Sequence, residues 1–139
     1  MMTSDRKPLV VLADDHVGMQ SRISEVLADG CKVVAAVNDG AGAVQAAVDF
    51  TPDVVILDIA MPGVDGIHAA RQMKQLGLTA KVIFLTVHED ADYVRAARAI
   101  GASYVRKPRM HVDLLLAIKE ALAGRIFVSP SSSPVSEII

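Results

Sequence analysis

The chain has 139 residues, 52% of them apolar, and a formal net charge of −2. This length suits one domain with one core, and because Trp is absent and only 4% of the residues are aromatic, aliphatic side chains must build that core. Lysine and arginine never occur more than two in succession, so we expect no direct binding of nucleic acid. The single cysteine, Cys31, excludes an internal disulfide, and no apolar run reaches membrane-spanning length. These features indicate a cytoplasmic protein with no membrane partner.

Five apolar runs of strand length alternate with segments of helical period. The predicted strands are Leu9–Ala13, Val33–Val37, Val54–Leu57, Val82–Thr86 and Tyr104–Arg106. Most of them are continuously apolar, which is typical of parallel strands that helices cover on both faces.

The segments between and after the strands predict five helices. Their predicted buried positions, in chain order, are Met19, Ile23, Val26 and Leu27; Val44, Ala47 and Val48; Ile67, Ala70 and Met73; Val94, Ala97 and Ile100; and Leu115, Ile118 and Leu122. A glycine follows four of these segments, where a helix often ends on a left-handed residue: Gly30, Gly77, Gly101 and Gly124.

This alternation predicts an α/β fold of (βα)₅ type, in which a doubly wound, five-stranded parallel sheet lies between two layers of helices. We expect the strand order 2-1-3-4-5. The predicted domain covers residues 8–124. A flexible N-terminus at 1–7 precedes it, and a linker-like tail at 125–139, rich in Ser and Pro, follows it.

Three carboxylates follow strands that this sheet order makes neighbours. Asp14 and Asp15 follow the first strand, and Asp58 follows the third. In such a sheet, ligands bind at the carboxyl ends of the strands where the strand order reverses, which is between these two strands. Each aspartate alone could be a helix cap, but three anions at one place repel one another unless a cation neutralises them. Oxygen ligands of this kind predict Mg²⁺ or Mn²⁺.

The ends of the remaining strands add a hydroxyl and an ammonium group. Thr86 ends the fourth strand and Lys107 follows the fifth. Singly, these are an ordinary strand-forming threonine and an ordinary surface lysine. Beside a carboxylate nucleophile and a metal ion they predict phosphoryl transfer, because the cations would neutralise charge on the phosphoryl oxygens while the carboxylate attacks.

The sequence resembles response regulator receiver domains over nearly all of residues 8 to 124. The resemblance rests on four blocks, which are Asp14-Asp15, Asp58–Gly66, Thr86 and Gly101–Pro108. It implies a flavodoxin-like receiver fold and a sensor histidine kinase as partner, whose phosphohistidine would supply the phosphoryl group for Asp58. It also implies a phosphoacceptor whose catalysis extends at most to self-phosphotransfer and self-dephosphorylation, and a possible homodimer after phosphorylation.

Finer similarities are to the NarL/FixJ (LuxR-type) regulators. They lie in Asp14–His16, Leu85–His88 and Gly124–Pro130. Such regulators usually continue through a linker into a helix-turn-helix DNA-binding domain. A stand-alone receiver and the receiver of a longer transcriptional regulator therefore both remain open.

The resemblance implies a metal site at the acidic residues. Asp15 and Asp58 would supply carboxylates to Mg²⁺, with Asp14 acting directly or through water. The backbone carbonyl of Ala60 would be a further ligand.

The resemblance also implies a switch. Thr86 would hydrogen-bond a phosphoryl oxygen, and Lys107 would form an ion pair with it. Tyr104 would turn inward when Thr86 moves, which would change the surface of the fourth helix, fifth strand and fifth helix. The peptide bond between Lys107 and Pro108 matches one that is often cis in these domains.

Two alternatives compete with this assignment. A haloacid-dehalogenase-like phosphatase would need a second carboxylate two residues after its nucleophile, but Ala60 and His16 stand at those places after Asp58 and Asp14. A degenerate receiver that acts only as a binding module would lack the acceptor, the acidic pair or the lysine, and the chain has all of them.

Overall fold

A computed structural model describes residues 6–130 and contains five strands and five α-helices in strict alternation. The strands are β1 (Leu9–Ala13), β2 (Lys32–Val37), β3 (Val54–Leu57), β4 (Lys81–Thr86) and β5 (Ser103–Arg106). The helices are α1 (Val17–Leu27), α2 (Gly40–Phe50), α3 (Gly66–Gln75), α4 (Ala91–Ile100) and α5 (Met110–Leu122), and a short 3₁₀ turn, Lys107–Arg109, precedes α5. None of the helices in this part of the chain is long and apolar enough to cross a membrane.

The five strands form one parallel sheet in the order β2-β1-β3-β4-β5. This confirms the predicted flavodoxin-like α/β fold. β1 and β3 have the predicted bounds, and each of the other three strands begins one residue earlier than predicted.

Both faces of the sheet are covered, because successive side chains of a strand point to opposite sides. One face packs against α2, α3 and α4, and its buried side chains include Val11, Val55, Leu57 and Phe84. The other packs against α1 and α5, and its buried side chains include Leu12, Ile56 and Leu85. Because both faces are covered, most strands are apolar at every position.

The predicted buried stripe is confirmed in α3, whereas in α5 only Ile118 of the three predicted positions is buried. Ile67, Ala70 and Met73 are buried as predicted. In α5, Leu115 and Leu122 are 42% and 43% exposed. The buried positions of α5 are Met110, Asp113, Leu114, Ala117, Ile118 and Ala121. The helix is apolar on more than one side, so spacing alone did not identify the side that meets the sheet.

The other three helices follow the prediction in part. Ile23 and Leu27 of α1 and Ala97 of α4 are buried, and the remaining predicted positions of these two helices are partly buried. In α2, Val48 is 44% exposed, and alanines form most of the buried face instead. Small side chains there let the helix lie close to the sheet.

Two backbone predictions need correction. Three of the four glycines have a positive φ, but Gly30, after α1, does not, and the C-cap of α1 is the right-handed Ala28. The C-cap of α2 is a left-handed residue that is not glycine, Thr51, at φ 41°. No peptide bond among residues 6–130 is cis, so the Lys107–Pro108 bond is trans.

The segments next to the predicted domain are partly described. Arg6 Nη2 donates to Asp53 Oδ2 at 2.9 Å, and Val128 pairs in parallel with Tyr104 at the edge of β5. The rest of the predicted N-terminus and tail, at 1–5 and 131–139, lies outside the described residues. The boundaries at 8 and 124 stay predictions.

Candidate functional site

The carboxyl ends of β1 and β3 hold two buried carboxylates side by side. Asp14 is 1% exposed and Asp58 is 5% exposed. Backbone hydrogen bonds continue past the strand ends, from Asp14 N to Val37 O at 3.1 Å and from Asp58 N to Ala13 O at 3.0 Å. The sheet itself therefore fixes both residues, and the predicted convergence of these two aspartates is confirmed.

A glycine lets α3 begin directly against the loop that carries Asp58. A Cβ atom at Gly66 would overlap the backbone carbonyl oxygen of Asp58, and Gly66 N donates to Ile59 O at 2.9 Å. Any side chain at position 66 would push the loop away from the helix. This close approach keeps Asp58 in place.

Lys107 joins the two buried carboxylates. Its Nζ lies 2.7 Å from Asp14 Oδ2 and 2.8 Å from Asp58 Oδ2, and the residue is 8% exposed. Burial alone would lower the pKa of Lys107, but hydrogen bonds and charge from Asp14 and Asp58 outweigh it and raise that pKa above its ordinary value. The lysine is therefore charged at neutral pH and faces two anions.

Asp15 and His16 extend the acidic group toward the surface. His16 Nδ1 lies 3.0 Å from Asp15 Oδ1, and His16 N donates to Asp14 Oδ1 at 2.9 Å. One potential ligand atom from each of Asp14, Asp15 and His16 lies within 4.8 Å of the others. The buried Oδ2 of Asp14 has the ammonium of Lys107, 2.7 Å away, as its partner.

An open cavity lies over this group. Its volume is about 430 Å³, and Asp15, Ala60, Met61 and Tyr93 are among the residues that line it. Ala60 N donates to Asp58 Oδ1 in a long contact of 3.4 Å. The cavity gives solvent and small ions access to the acidic residues at the end of β1 and to the loop after β3.

Thr86 and Tyr104 both contact the backbone of one residue, His88. Both residues are buried, at 0% and 1% exposure. His88 N donates to Thr86 Oγ1 at 3.3 Å, and the Tyr104 hydroxyl donates to His88 O at 2.6 Å. Burial, followed by the charge of Asp90, raises the pKa of Tyr104 to about 12. Because its side chain is buried and its hydroxyl contacts His88 O, Tyr104 is already turned inward in this structure.

Sequence reasoning missed two participants. His16 belongs to the cluster of potential ligands, and its place directly after two aspartates at a strand end was the available signal. The backbone N–H and C=O of His88 connect Thr86 with Tyr104, and contacts made by backbone atoms cannot be inferred from the type of side chain.

Comparison with known proteins identifies relatives over the whole domain. The family model described as the response regulator receiver domain matches residues 10–119. The transcriptional regulatory protein DegU of Brevibacillus brevis is 33% identical over 91% of this chain and 55% of its own length. The response regulator GacA of Pseudomonas syringae is 33% identical over 87% of this chain and 58% of its own length. The chain thus spans little more than half the length of these curated relatives.

Solved structures agree with this assignment. A two-component response regulator of the LuxR family from Aurantimonas superposes with a TM-score of 0.84 at 32% identity, over 90% of this chain and 91% of its own. The isolated receiver domain of RcsB from Salmonella enterica, solved with the phosphomimetic BeF₃⁻, superposes with a TM-score of 0.82 at 25% identity, over 96% and 99%. The chain belongs to the response regulator receiver domain family and is of the NarL/LuxR type.

Proposed function

We propose that this domain accepts a phosphoryl group on Asp58 from the phosphohistidine of a sensor histidine kinase. The observation that carries the proposal is the position of Lys107, whose buried ammonium lies 2.8 Å from Asp58 Oδ2 and 2.7 Å from Asp14 Oδ2. The negative charge of a phosphoryl group on Asp58 would lie beside the ammonium of Lys107. That ammonium is held in place in a site with little competing water, so it would stabilise the charge.

The transfer would proceed by in-line attack. A carboxylate oxygen of Asp58 forms the new O–P bond while the P–N bond to the kinase histidine breaks, and the imidazole takes the electron pair of that bond. Lys107 then pairs with a phosphoryl oxygen and gives up part of its contact with Asp58. The Asp58 side chain needs no general base, because a carboxylate is already the nucleophilic form.

The residues present fit a divalent cation with oxygen ligands. Asp14 Oδ2 is buried with only the Lys107 ammonium beside it, Asp15 is exposed, and both Asp15 and Ala60 line the same cavity. Asp14, Asp15, Asp58 and the backbone carbonyl of Ala60 would hold Mg²⁺ or Mn²⁺. When bound, the ion would neutralise charge on the phosphoryl oxygens. We assign no metal role to His16, because a hard cation prefers oxygen.

Thr86 and Tyr104 would carry the signal away from the site. The Thr86 hydroxyl would turn from His88 N toward a phosphoryl oxygen, and the carbonyl oxygen of the same residue, His88, accepts a hydrogen bond from the Tyr104 hydroxyl. Movement of the His88 backbone would change the surface formed by α4, β5 and α5. Several charge-assisted contacts to the phosphoryl group would supply the free energy for the change.

The wider role follows from the relatives. DegU is called a transcriptional regulatory protein, and we infer that this domain is the receiver of a transcriptional regulator in the cytoplasm. We propose that it forms a homodimer after phosphorylation and does not itself contact DNA or a membrane. Its own catalysis would be limited to self-phosphotransfer and self-dephosphorylation.

Intact-mass spectrometry tests the proposed acceptor. Incubation with acetyl phosphate and Mg²⁺ should add one phosphoryl group to the wild-type chain and none to Asp58→Asn. Asp29→Asn, which changes an exposed aspartate outside the site, is the matched control and should be modified like the wild type. Equal modification of Asp58→Asn, or none of the wild type, would refute the assignment.

A further inference from the structure

A glutamine in the first turn of α1 ties the ends of two strands together beside the acidic residues. Gln20 Nε2 donates to Asp14 O at 2.8 Å and to Val37 O at 2.9 Å. Asp14 directly follows β1, and Val37 is the last residue of β2. The backbone of Gln20 also closes the first turn of the helix, because its N–H donates to His16 O at 3.0 Å. One residue therefore joins α1, β1 and β2 at the edge of the sheet that carries the acidic residues.

The chemistry of these two contacts requires an amide nitrogen. A side-chain amide has two N–H donors on one nitrogen and a carbonyl acceptor at its other end. Both partners of Gln20 are carbonyl oxygens, so only the nitrogen end of the amide can face them. Val37 O accepts from Asp14 N as well, at 3.1 Å, and a carbonyl oxygen has two lone pairs for two such donors. A methionine of similar length at this position could make neither contact.

The contact with Asp14 O acts on the peptide group that leads into Asp15. Because a peptide group is planar, the direction of that carbonyl fixes where the chain enters Asp15, and so where its carboxylate extends. The strand pairing of β1 ends at Ala13, and Asp15 is exposed. The side chain beside the Asp15 carboxylate is His16, which is itself 75% exposed. Gln20 is therefore a half-buried anchor for the backbone of an exposed carboxylate.

The two buried carboxylates have other supports. Asp58 N donates to Ala13 O at 3.0 Å, and Lys107 Nζ contacts both Asp14 Oδ2 and Asp58 Oδ2. These contacts do not involve Gln20. A change at Gln20 should therefore act mainly on the position of Asp15, the carboxylate that faces the cavity.

We propose that Gln20 is a positioning residue for the divalent cation and that it acts through the peptide between Asp14 and Asp15. The inference rests on the metal site of the proposed function. Groups that orient a metal ligand without touching the ion commonly change the affinity about 10- to 100-fold. Without the contact from Gln20 the peptide can rotate, and Asp15 must be ordered at the moment the ion binds, so the affinity falls.

Calorimetric titration of the full chain with Mg²⁺ tests this role. Gln20→Met keeps the length of the side chain but removes both donors, and it should bind Mg²⁺ roughly tenfold more weakly than the wild type. Gln20→Asn, whose amide is one methylene too short to reach both carbonyls, should change the affinity in the same direction and serves if Gln20→Met does not fold. An affinity equal to that of the wild type in the folded variant would overturn the proposal.

Two control variants separate positioning from a general loss of stability. Ile23→Val removes a buried methylene group from the same helix and should lower stability without changing the affinity for Mg²⁺. Gln75→Met, at an exposed position of α3, should match the wild type in both respects. Urea denaturation establishes that every variant is folded during the titration, and the affinity of a folded domain does not depend on its global stability. Equal weakening in Ile23→Val and Gln20→Met would contradict a specific role for Gln20.

The dependence of phosphorylation on Mg²⁺ gives a second readout. In Gln20→Met, the Mg²⁺ concentration that gives half of the maximal rate with acetyl phosphate should rise roughly tenfold, and saturating Mg²⁺ should recover most of the lost rate. A lower rate at every concentration, with the same half-maximal point as the wild type, would place the effect of Gln20 outside metal binding and overturn the proposal.

The results for the positioning role and for the acceptor are distinguishable. Uptake of Mg²⁺ that Gln20→Met weakens, without modification of the wild-type chain by acetyl phosphate, would support the positioning role and refute Asp58 as acceptor. Modification of Asp58 with unaltered Mg²⁺ affinity in Gln20→Met would refute the positioning role alone.

Discussion

The ammonium nitrogen of Lys107 lies 2.8 Å from Oδ2 of Asp58, and both side chains are buried. The two residues are 49 positions apart in the chain and follow different strands. They meet because parallel strands end at the same edge of the sheet. The same nitrogen contacts Asp14, so one cation balances two anions in a place where water is scarce.

Removal of this cation should destabilise the fold in a way that a divalent ion can offset. Lys107→Met leaves two buried carboxylates without their partner, and we expect a loss of about 3 kcal/mol in the free energy of unfolding without added metal. Added Mg²⁺ should recover part of the loss. Urea denaturation with and without Mg²⁺ measures both effects. Lys119→Met, at an exposed position of α5, is the control, and an equal loss in both variants would contradict the prediction.

Binding of Mg²⁺ should depend on the exposed carboxylate of the acidic group. Asp15→Asn removes a ligand charge that faces the cavity, and we expect roughly tenfold weaker binding of Mg²⁺ by isothermal titration calorimetry. The control is again Asp29→Asn, which should bind like the wild type. No detectable uptake of Mg²⁺ or Mn²⁺ by the wild-type chain would remove the proposed metal site altogether.

Two glycine substitutions should have opposite effects. Gly66→Ala places a Cβ atom against the backbone carbonyl of Asp58, so the loop must move; we expect a loss of about 1–3 kcal/mol in stability and slower modification by acetyl phosphate. Gly18→Ala meets no atom within 4 Å and lies in α1, where alanine should add about 0.5–1 kcal/mol. Both variants would be compared with the wild type by thermal unfolding and by the rate of phosphorylation with acetyl phosphate. Similar behaviour of the two variants would show that the close approach is unimportant.

Tyr104 should make the protein less stable at alkaline pH. Its pKa is raised to about 12, mainly by burial, whereas an unfolded tyrosine titrates near 10. Below pH ~10 its contribution to stability is fully present, and it is lost as pH rises from there through the folded pKa, because only the unfolded chain releases the proton in that window. Ultraviolet titration should show a tyrosinate step at about 12 that Tyr104→Phe abolishes and Tyr93→Phe retains. A step that survives in Tyr104→Phe would contradict the assignment.

The strands and the polar residues at their ends could be predicted from the sequence because each depends on local information. A run such as Val54–Leu57 is apolar at every position, and a run of that length is typical of a strand covered on both sides. Asp58 and Thr86 stand directly at the ends of such runs. Parallel topology then brings the ends together, so spacing along the chain was sufficient to predict a common site.

Other features depend on contacts that no local pattern records. Leu114 and Leu115 are equally apolar, yet the first is fully buried and the second is 42% exposed, since packing against the sheet selects one face of α5. Composition predicted that Phe127 and Ser129 belong to a linker-like tail. In the structure the segment lies beside β5, and the hydroxyl of Ser129 contacts Asp113 and Arg106, which are 16 and 23 positions away in sequence. By itself the sequence determined the order of strands and helices and the residues at the strand ends, because periodicity and polarity are local properties. Only the tertiary structure decided which helix faces are buried, that Lys107 contacts both aspartates, and that the chain beyond α5 pairs with the sheet edge, because these are outcomes of long-range packing.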